Sequence, residues 1–336
     1  MNAGSEKAIA RRVKQHVNGK EHRFFAVVQP GFEATARAEL ASIGVKGLGE
    51  PVEGGVRFQA RLDDMIRANI ASRVVTRVLM RIDAFDVDGF GRLARKAAAI
   101  PWELHLSDGA VVSFRVASAQ SRLYHEGRIE EEFRSAVAAR MAEYGRTVEF
   151  AAGGQAIHVR LRDDRCLVSL DTSGERLHRR GRRTFVGEAS LRETIAAALL
   201  REAGWPGDYD TLVDPMCGAG TFSVEATEMA RGTLPGADRE FAFEAWPAFR
   251  PAAYSHLVAK MSAAAKVVDR RVLTSDVDPR AAKTARSNLG DQVVEVRDFL
   301  ADPPAPEGDR RLYVLNPPYG RRLAGVDPRR VYRRIG

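Results

Sequence analysis

The tetrapeptide Asn316-Pro317-Pro318-Tyr319 combines residue types that could bind a planar amine. It follows the apolar run 312–315, which predicts a short buried strand, and its two prolines end that strand because proline cannot donate a ladder hydrogen bond. An amide and an aromatic ring are then fixed at the carboxyl end of a strand, where ligands bind in open α/β sheets. The same four residues could also form a plain turn after a strand.

The segment 214–221, Asp-Pro-Met-Cys-Gly-Ala-Gly-Thr, follows another predicted strand and begins a helix. Gly218 and Gly220 would let the backbone approach a ligand closely. A phosphate loop would need Gly-Lys-Ser/Thr after the glycines, and Ser223 stands where the dinucleotide fingerprint needs its third glycine. Nucleoside triphosphates and NAD are therefore disfavoured, and a tight turn remains an alternative.

Carboxylates follow the next two predicted strands. Asp276 ends the strand 272–276, where it could accept hydrogen bonds from both hydroxyls of a ribose. Asp278 precedes Pro279, a pair typical of a helix N-cap and first helical position, so we assign Asp278 to capping. Asp298 ends the strand 293–298 and could hold the amine of an adenine, and Phe299, the next residue, could cover its ring.

These residues need a parallel sheet to bring them together. From Ser190 the pattern alternates between helices and strands, beginning with a capping box at Ser190 and Glu193, which predicts a helix-flanked parallel sheet. Residues 232–260, rich in Pro, Phe and Trp, lengthen the path between the first two strands, and we interpret them as an insertion. The β-α-β-α-β order of 24–82 predicts a ferredoxin-like module, and a smaller α-β-α-β-β unit begins near Asp86.

Composition narrows the class of protein. The 336 residues carry a net charge of +8, mostly from arginine, which favours an anionic partner such as nucleic acid but also suits ordinary solvated surfaces. No apolar run approaches the ~20 residues of a membrane span, and the first 23 residues lack the apolar core of a signal peptide. Cys166 and Cys217 suggest neither a disulfide nor a metal site, so we expect a cytoplasmic protein without a metal.

A basic segment lies between the two halves. It could be a solvated linker or a strip that binds phosphates between domains. Its arginines are Arg176, Arg179, Arg180, Arg182 and Arg183.

Taken in chain order, the motifs resemble a known family. Asp-Pro-Met-Cys-Gly-x-Gly-Thr from 214, Ser-Asp-x-Asp from 275 and Asn-Pro-Pro-Tyr-Gly-x-Arg-Leu from 316 are similar to class I S-adenosylmethionine-dependent methyltransferases that modify exocyclic amines. Within that class they resemble the THUMP-containing RNA guanine-N2 methyltransferases, which include a bacterial 23S rRNA enzyme and archaeal tRNA relatives. The stretch 170–183 resembles the family's link between THUMP and catalytic domains, and 31–40 with 54–58 resembles its ferredoxin-like module.

The resemblance implies a fold and a domain order. The fold would be a Rossmann-like α/β methyltransferase domain preceded by α+β ferredoxin-like and THUMP modules. Only 17 residues follow Tyr319, so we expect the sheet to be truncated at its C-terminal end relative to the family. The implied segments are a basic tail (1–22), a ferredoxin-like module (23–85), a THUMP module (86–172), a basic linker (173–188) and an incomplete methyltransferase domain (189–336).

The resemblance also implies a role for each site residue. Asp214 with the Gly218/Gly220 loop would hold the methionine part of S-adenosylmethionine, Asp276 its ribose, and Asp298 with Phe299 its adenine. Asn316 and the Pro317 carbonyl would accept hydrogen bonds from the target amine, and Tyr319 would stack on a base taken out of its stack. The five arginines of the basic segment, and Arg115, Arg122 and Arg128 of the THUMP module, would bind structured RNA, with rRNA favoured over tRNA.

Other functions are compatible with the same residues. The chain could be an RNA-binding protein with a degenerate methyltransferase domain, which the short C-terminal end would support. It could also methylate another planar amine, in adenine, cytosine, a tRNA guanine or a protein glutamine, because Asn-Pro-Pro-Tyr suits each of them.

Overall fold

A computed structural model describes residues 5–181, 191–299, 301, 309–317 and 333. Contacts divide the chain into two compact units. The first comprises Met1–Leu177 and Arg239–Lys260, and the second comprises His178–Asp238 and Met261–Gly336. The chain therefore leaves the second unit and returns to the first within the segment interpreted as an insertion.

The N-terminal segment, predicted as a basic tail, is a packed helix in its described part. Helix α1 (Glu6–Val13) continues into one π-helical stretch, Lys14–Asn18. Ile9 and Val17 are buried against Leu104 and Ala248, because the apolar side chains of this basic stretch recur on one helical face. Charged side chains of the same stretch, such as Arg11, are exposed.

The first unit is built around an eight-stranded sheet with the strand order β2-β3-β1-β4-β8-β7-β5-β6. The antiparallel pairing of β4 with β8 joins the two predicted N-terminal modules into this one sheet. The strands are β1 (His22–Val27), β2 (Leu48–Val52), β3 (Gly55–Ala60), β4 (Arg77–Asp86), β5 (Ala110–Ala119), β6 (Val148–Phe150), β7 (Gln155–Arg162) and β8 (Arg165–Asp171).

One face of this sheet forms the core of the unit. Strand residues such as Phe24, Met80 and Leu170 point to this face and are at most 2% exposed, while their neighbours in sequence point to the other face. Four helices pack against strands of the sheet or against one another and supply further buried side chains such as Phe133. They are α2 (Glu33–Ser42), α3 (Leu62–Ala71), α4 (Phe90–Ala99) and α5 (Glu126–Glu143), with a 3₁₀ turn at Trp102–Leu104.

Residues 239–260 complete the first unit. The Trp246 Nε1–H donates to Gln155 Oε1 at 2.5 Å, and Ser107 Oγ donates to the Ala245 carbonyl at 2.7 Å. The Arg239 guanidinium donates to three backbone carbonyls, those of Ser173, Glu175 and Arg176. The insertion therefore has a structural role in the N-terminal half, which its composition did not reveal.

The second unit contains a parallel four-stranded sheet with the order β11-β10-β9-β12. Its core includes Leu200, Trp205 and Leu212, each at most 3% exposed. The strands are β9 (Thr211–Asp214), β10 (Arg271–Asp276), β11 (Val294–Val296) and β12 (Arg311–Tyr313). The helices are α6 (Glu193–Glu202), α7 (Thr221–Ala230), α8 (Pro251–Ala263, shared with the first unit) and α9 (Pro279–Leu289).

Helix α6 begins later than its capping pattern predicts. Its N-cap is Arg192, which makes no side-chain cap hydrogen bond, so Glu193 is the first helical residue and not the third. Ser190, the predicted N-cap, lies outside the described residues. No helix in the described ranges is long and apolar enough to cross a membrane.

Candidate functional site

The predicted site residues of the second unit follow four parallel strands whose carboxyl ends share one edge of the sheet. Asp214 and Asp276 end β9 and β10, Asp298 follows β11, and Asn316 follows β12. The chain continues from β9 to its neighbour β10 and later returns to β12 on the other side of β9. The strand order thus reverses beside β9, which is where open α/β sheets form their ligand crevice.

The loop after β9 is fixed against the end of β10. The Gly218 N–H donates to Asp276 Oδ2 at 2.9 Å, and the Cys217 N–H donates to the Ser275 carbonyl at 3.1 Å. On the other side, Asn288 of α9 donates its amide N–H to the Ala219 carbonyl at 2.9 Å. Hydrogen bonds therefore connect the loop to the Asp276 carboxylate on one side and to α9 on the other.

The two glycines of the loop serve different purposes. Both have positive φ, +55° at Gly218 and +79° at Gly220, which favours glycine. A Cβ at Gly220 would lie 3.3 Å from the Cβ of Ala285, so this glycine allows α9 to pack closely. A Cβ at Gly218 would meet no atom within 4 Å, so the backbone there borders open space that a ligand could enter.

Asp214 is buried at 1% exposure and held by a short chain of hydroxyls. Ser223 Oγ donates to Asp214 Oδ2 at 2.7 Å, and Thr274 Oγ1 donates to Ser223 Oγ at 2.8 Å. Burial raises the pKa of Asp214 to about 7, although the hydrogen bonds from Ser223 act in the opposite direction. The other oxygen, Oδ1, is buried without a hydrogen-bond partner among the described residues.

Sequence reasoning missed the role of Ser223. Its position was informative only as a departure from the dinucleotide fingerprint, in which a glycine would stand there. In the structure the Ser223 hydroxyl donates a hydrogen bond to the Asp214 carboxylate at the end of β9. A polar residue at this place, one helical turn into α7, was the available signal.

Asp276 and Asp278 occupy the same tip of β10 but make different contacts. Asp276 Oδ1 accepts from the Asp278 N–H at 2.9 Å while its Oδ2 accepts from Gly218. Each carboxylate oxygen has a second lone pair, so Asp276 keeps acceptor capacity for a ligand. Asp278 is the N-cap of α9 and accepts from the Arg280 N–H at 2.9 Å, which confirms its predicted capping role.

The third strand end lies beside the second. The Arg297 N–H donates to the backbone carbonyl of Asp276 at 3.1 Å, which extends the pairing of β11 with β10 up to Asp298. The Phe299 ring lies 6.0 Å from the ring of Tyr313, centroid to centroid. The structure therefore brings Asp298 to the predicted edge, and the role of Phe299 in covering an adenine stays a prediction.

Strand β12 places Asn316 next to the end of β9. Tyr313 pairs with Val213, and the Val314 N–H donates to the Val213 carbonyl at 2.9 Å. At the other end of these strands, Asp309 accepts from Thr211 of β9 at 2.5 Å and from Arg271 of β10 at 2.7 Å, which anchors β12.

The tetrapeptide itself is described only in part. Asn316 and Pro317 are both half-buried, two to three residues past the last hydrogen bond to β9. Pro318 and Tyr319 lie outside the described residues. The amide and the proline carbonyl therefore lie at the predicted edge of the sheet, and the stacking role of Tyr319 stays a prediction.

The predicted RNA-binding strip contains both buried and exposed arginines. Arg180 is 6% exposed, and its Nε–H donates to the buried Glu225 carboxylate at 3.1 Å. This ion pair holds the guanidinium away from the surface and gives Arg180 a structural role, and the RNA-binding role of the strip stays a prediction. Arg176 and Arg179 are exposed, as the strip requires, whereas Arg182 and Arg183 lie outside the described residues.

Within the described ranges, no group of three or more His, Cys, Asp or Glu side chains could hold a metal ion. The strand-end carboxylates are instead engaged with backbone N–H groups and hydroxyls.

Two family models match separate parts of the chain. Residues 180–335 match the model of an RMKL-like methyltransferase domain, and residues 23–79 match the model of the RlmL ferredoxin-like domain. These matches confirm the predicted Rossmann-like methyltransferase fold and the ferredoxin-like module that precedes it. The THUMP assignment of 86–172 stays a prediction.

Two relatives illustrate the similarity in sequence. The chain is 32% identical over 333 residues to the ribosomal RNA large subunit methyltransferase K/L of Allochromatium vinosum, covering 94% of this chain and 45% of the relative. It is 31% identical over 312 residues to "Putative RNA methyltransferase slr0064" of Synechocystis, covering 89% of this chain and 80% of the relative. The chain thus spans about half the length of the K/L relatives it matches.

Two solved structures share the fold over most of their length. One, from Listeria monocytogenes, is described as "a predicted N6-adenine-specific DNA methylase"; it has a TM-score of 0.82 at 29% identity, covering 99% of this chain and 87% of that one. The other, SMU.472, is described as "a putative methyltransferase complexed with SAH"; it has a TM-score of 0.80 at 28% identity, covering 94% of this chain and 84% of that one.

Proposed function

The chain belongs to the same family as the putative RNA methyltransferase of Synechocystis, and its residues 180–335 match the model of an RMKL-like methyltransferase domain; we propose that it methylates a guanine in structured RNA. The methyl donor would be S-adenosylmethionine, and the acceptor would be the exocyclic N2 amine. The observation that carries the proposal is the single sheet edge at which Asp214, Asp276, Asp298 and Asn316 follow four adjacent parallel strands.

The described residues fit the donor. The buried Oδ1 of Asp214 lacks a partner, and the ammonium of a methionine group would supply one. Gly218 borders open space, so its backbone could contact the same group. Asp276 retains lone pairs for ribose hydroxyls, and Asp298 would accept a hydrogen bond from the adenine amine.

Asn316 and Pro317 would orient the acceptor. The nitrogen of an aromatic amine is a poor nucleophile because its lone pair is delocalised into the ring. Hydrogen bonds from the amine to the Asn316 amide oxygen and the Pro317 carbonyl would turn that lone pair away from the ring and toward the methyl carbon. Such alignment can supply several kcal/mol of the barrier.

S-adenosylmethionine would supply a methyl carbon made electrophilic by the sulfonium. In the transfer the bond from nitrogen to the methyl carbon forms as the bond from sulfur to that carbon breaks. The electron pair of the broken bond stays on sulfur, and the nitrogen then loses one proton to solvent. No strong base is needed before transfer, because the lone pair of the neutral amine is the nucleophile.

The RNA substrate is inferred from the relatives and from charge. The K/L relatives act, by name, on large-subunit ribosomal RNA, and the net charge of +8 suits a polyanionic partner. We therefore favour rRNA over tRNA. The reaction would take place in the cytoplasm, where the buried free thiols of Cys166 and Cys217 would stay reduced.

Methylation of an adenine amine is the second candidate, because the Listeria protein is described as an adenine-specific methylase. One experiment separates the two. The purified chain is incubated with isotope-labelled donor and a bacterial large-subunit rRNA transcript, and the nucleosides are identified by mass spectrometry. The proposal predicts labelled N2-methylguanosine, whereas labelled methyladenosine would overturn it in favour of the second candidate. RNA binding without donor binding in calorimetry would favour an RNA-binding protein without activity.

A further inference from the structure

The face of the eight-stranded sheet opposite its core carries a row of polar side chains, most of them basic, across several strands. Because side chains alternate along a strand, the neighbours of the buried Phe24 and Met80 point to the other face of the sheet. Arg23 and Arg81, on β1 and β4, are two of these neighbours, and the two residues are directly paired.

The register extends this row in both directions. From β3 to β5 it contains, in order, Gln59, Arg23, Arg81, Ser169, His158 and Arg115. Adjacent strands lie ~4.8 Å apart, so the row is ~24 Å long. Arg57, paired with Phe25, and Arg160, two residues after His158, lie on the same face beside the row.

We call Arg23, Arg57, Arg81, Arg115 and Arg160 the arginine face. Four of them are exposed and Arg81 is partly buried. Within the described ranges, none of the five forms an ion pair with a carboxylate. Surface arginines on the helices differ, since Arg37, Arg92 and Arg134 pair with Glu50, Asp88 and Glu130.

Arg81 shows that the positive charge is not compensated locally. Its Nη1 is buried without a hydrogen-bond partner among the described residues. Burial lowers the pKa of Arg81, and the neighbouring Arg57, Arg160 and Arg165 lower it further. A buried, unpaired donor surrounded by like charges is stabilised when an anion binds.

Two other groups on the face suit a nucleic acid. His158 Nε2 is likewise buried without a hydrogen-bond partner, 4.0 Å from an Asp171 carboxylate that is already paired with Arg77. Phe25 is half-buried beside Arg57, and its ring extends over Gly55 of β3, where a Cβ would lie 2.7 Å from Phe25 Cζ. An aromatic ring between arginines offers a surface for base stacking.

We propose that the arginine face binds the sugar–phosphate backbone of the RNA substrate, with Phe25 available to contact a base. This inference rests on the proposed function, since it assigns a docking surface to the RNA that the second unit would methylate. The length of the row favours a polynucleotide over a single small anion, because one phosphate cannot reach arginines spread over ~24 Å. RNA recognition by shape and phosphate contacts suits a broad sheet face.

The test is the salt dependence of binding to a labelled large-subunit rRNA transcript. The triple variant Arg23→Gln, Arg81→Gln, Arg115→Gln is compared with the wild type over a series of potassium chloride concentrations. Loss of three phosphate contacts should flatten the slope of log affinity against log salt by about 2 to 3. At physiological salt the affinity should fall about 50- to 100-fold.

The matched control is Arg37→Gln, Arg92→Gln, Arg134→Gln. It removes the same three charges, so that both variants change from +8 to +5, but it removes them from helices. The proposal requires a much smaller change in this control. Equal losses in both variants would mean that only net charge matters and would overturn it.

Arg81 is partly buried, so the triple variant could lose stability. The double variant Arg23→Gln, Arg115→Gln removes only exposed side chains and should still flatten the slope by about 1.5. A wild-type slope in this variant would overturn the assignment of the face. The double variant is also tested with duplex DNA. If it loses as much affinity for DNA as for the RNA, the face is a general polyanion site, and the assignment of RNA as its ligand is overturned.

The failure of this inference is distinguishable from failure of the proposed function. Donor affinity, measured by calorimetry with S-adenosylmethionine, depends on residues of the second unit and should be unchanged in all these variants. The wild type could produce labelled N2-methylguanosine while the arginine-face variants bind RNA as tightly as the wild type. That result would leave the proposed function intact and overturn only the docking surface.

Discussion

The two sheets of this chain present charge in opposite ways. The eight-stranded sheet has helices on one face, so arginines of alternating strand positions line the other. The four-stranded sheet is parallel, so its polar groups are collected at the carboxyl ends of its strands, and they are carboxylates and an amide. A broad basic face suits a polyanion, whereas a compact edge of acceptors suits a small polar cofactor and an amine.

The buried titratable groups of the two units also differ in sign. In the first unit burial lowers the pKa of both His105 and His158 to about 4, and nearby cations contribute. In the second unit burial raises the pKa of Asp214 to about 7. Desolvation thus favours the neutral form of each group, and it is the largest cause of each shift.

The largest expected effect tests whether the buried Arg180 stabilises the second unit through its ion pair with Glu225. Glu225→Ala should lower the free energy of unfolding by about 3–5 kcal/mol, because it removes one carboxylate that pairs with the buried Arg180. Replacing both residues by Met and Leu should recover most of the loss. Urea denaturation measures these changes, with Arg179→Ala, an exposed neighbour, as the control.

A direct role of Arg180 in RNA binding would contradict this difference between the two units. A stable Arg180→Ala variant with a flattened salt slope for RNA binding would show that the guanidinium reaches the RNA, and the ion pair seen here would not describe the bound protein.

The second prediction is that the stability of the two units depends on pH in opposite directions. The histidines have folded pKa values below the unfolded value of ~6.5, so their contribution to stability is present above pH 6.5 and is lost as pH falls toward about 4. Asp214 has a raised folded pKa, so its contribution is present below the unfolded value of ~3.9 and is lost as pH rises through about 7. Between pH 6.5 and 4, acidification should weaken the first unit and strengthen the second.

Hydrogen exchange resolved by segment measures both units in one sample. Each histidine should contribute up to about 1.4 kcal/mol per pH unit within its window. His158→Gln should remove its share from the first unit and leave the second unit's pH dependence unchanged. A parallel response of both units to acidification would contradict the assignment.

The smallest effect concerns the inserted segment. Trp246→Phe removes the hydrogen bond to Gln155 and should lower the stability of the first unit by about 1–3 kcal/mol. Trp102→Phe is a matched control, since Trp102 is also buried and donates to a backbone carbonyl, that of Ala97. If Trp246→Phe leaves stability unchanged while Trp102→Phe lowers it, residues 239–260 are not an integral part of the unit.

Much of the second sheet could be predicted from sequence because its signals are local. Strand β10 begins one residue before its predicted start at Val272 and ends at the predicted Asp276, because a short apolar run followed by aspartates is a local signal. The order of the motifs along the chain then placed Asp214, Asp276, Asp298 and Asn316 at one edge. Parallel connectivity alone dictates that edge.

What could not be predicted depends on contacts distant in sequence. Strand β2, which contains Pro51, has little alternation, and its pairing with β3 decides its conformation. The pairing of β4 with β8 has no local signature, so two modules were expected where one sheet exists. The same holds for Arg180, whose partner Glu225 lies 45 residues away.

The central claim is that the edge of the four-stranded sheet holds a methyl donor and that Asn316 orients the amine. The most direct test compares wild type with Asn316→Ala in donor titration calorimetry and in single-turnover methylation of a large-subunit rRNA transcript. We predict unchanged donor affinity and a methyl-transfer rate lower by about 10²–10⁴-fold, because only acceptor alignment is lost. Equal loss of donor affinity and of rate, or no loss of rate, would contradict the account.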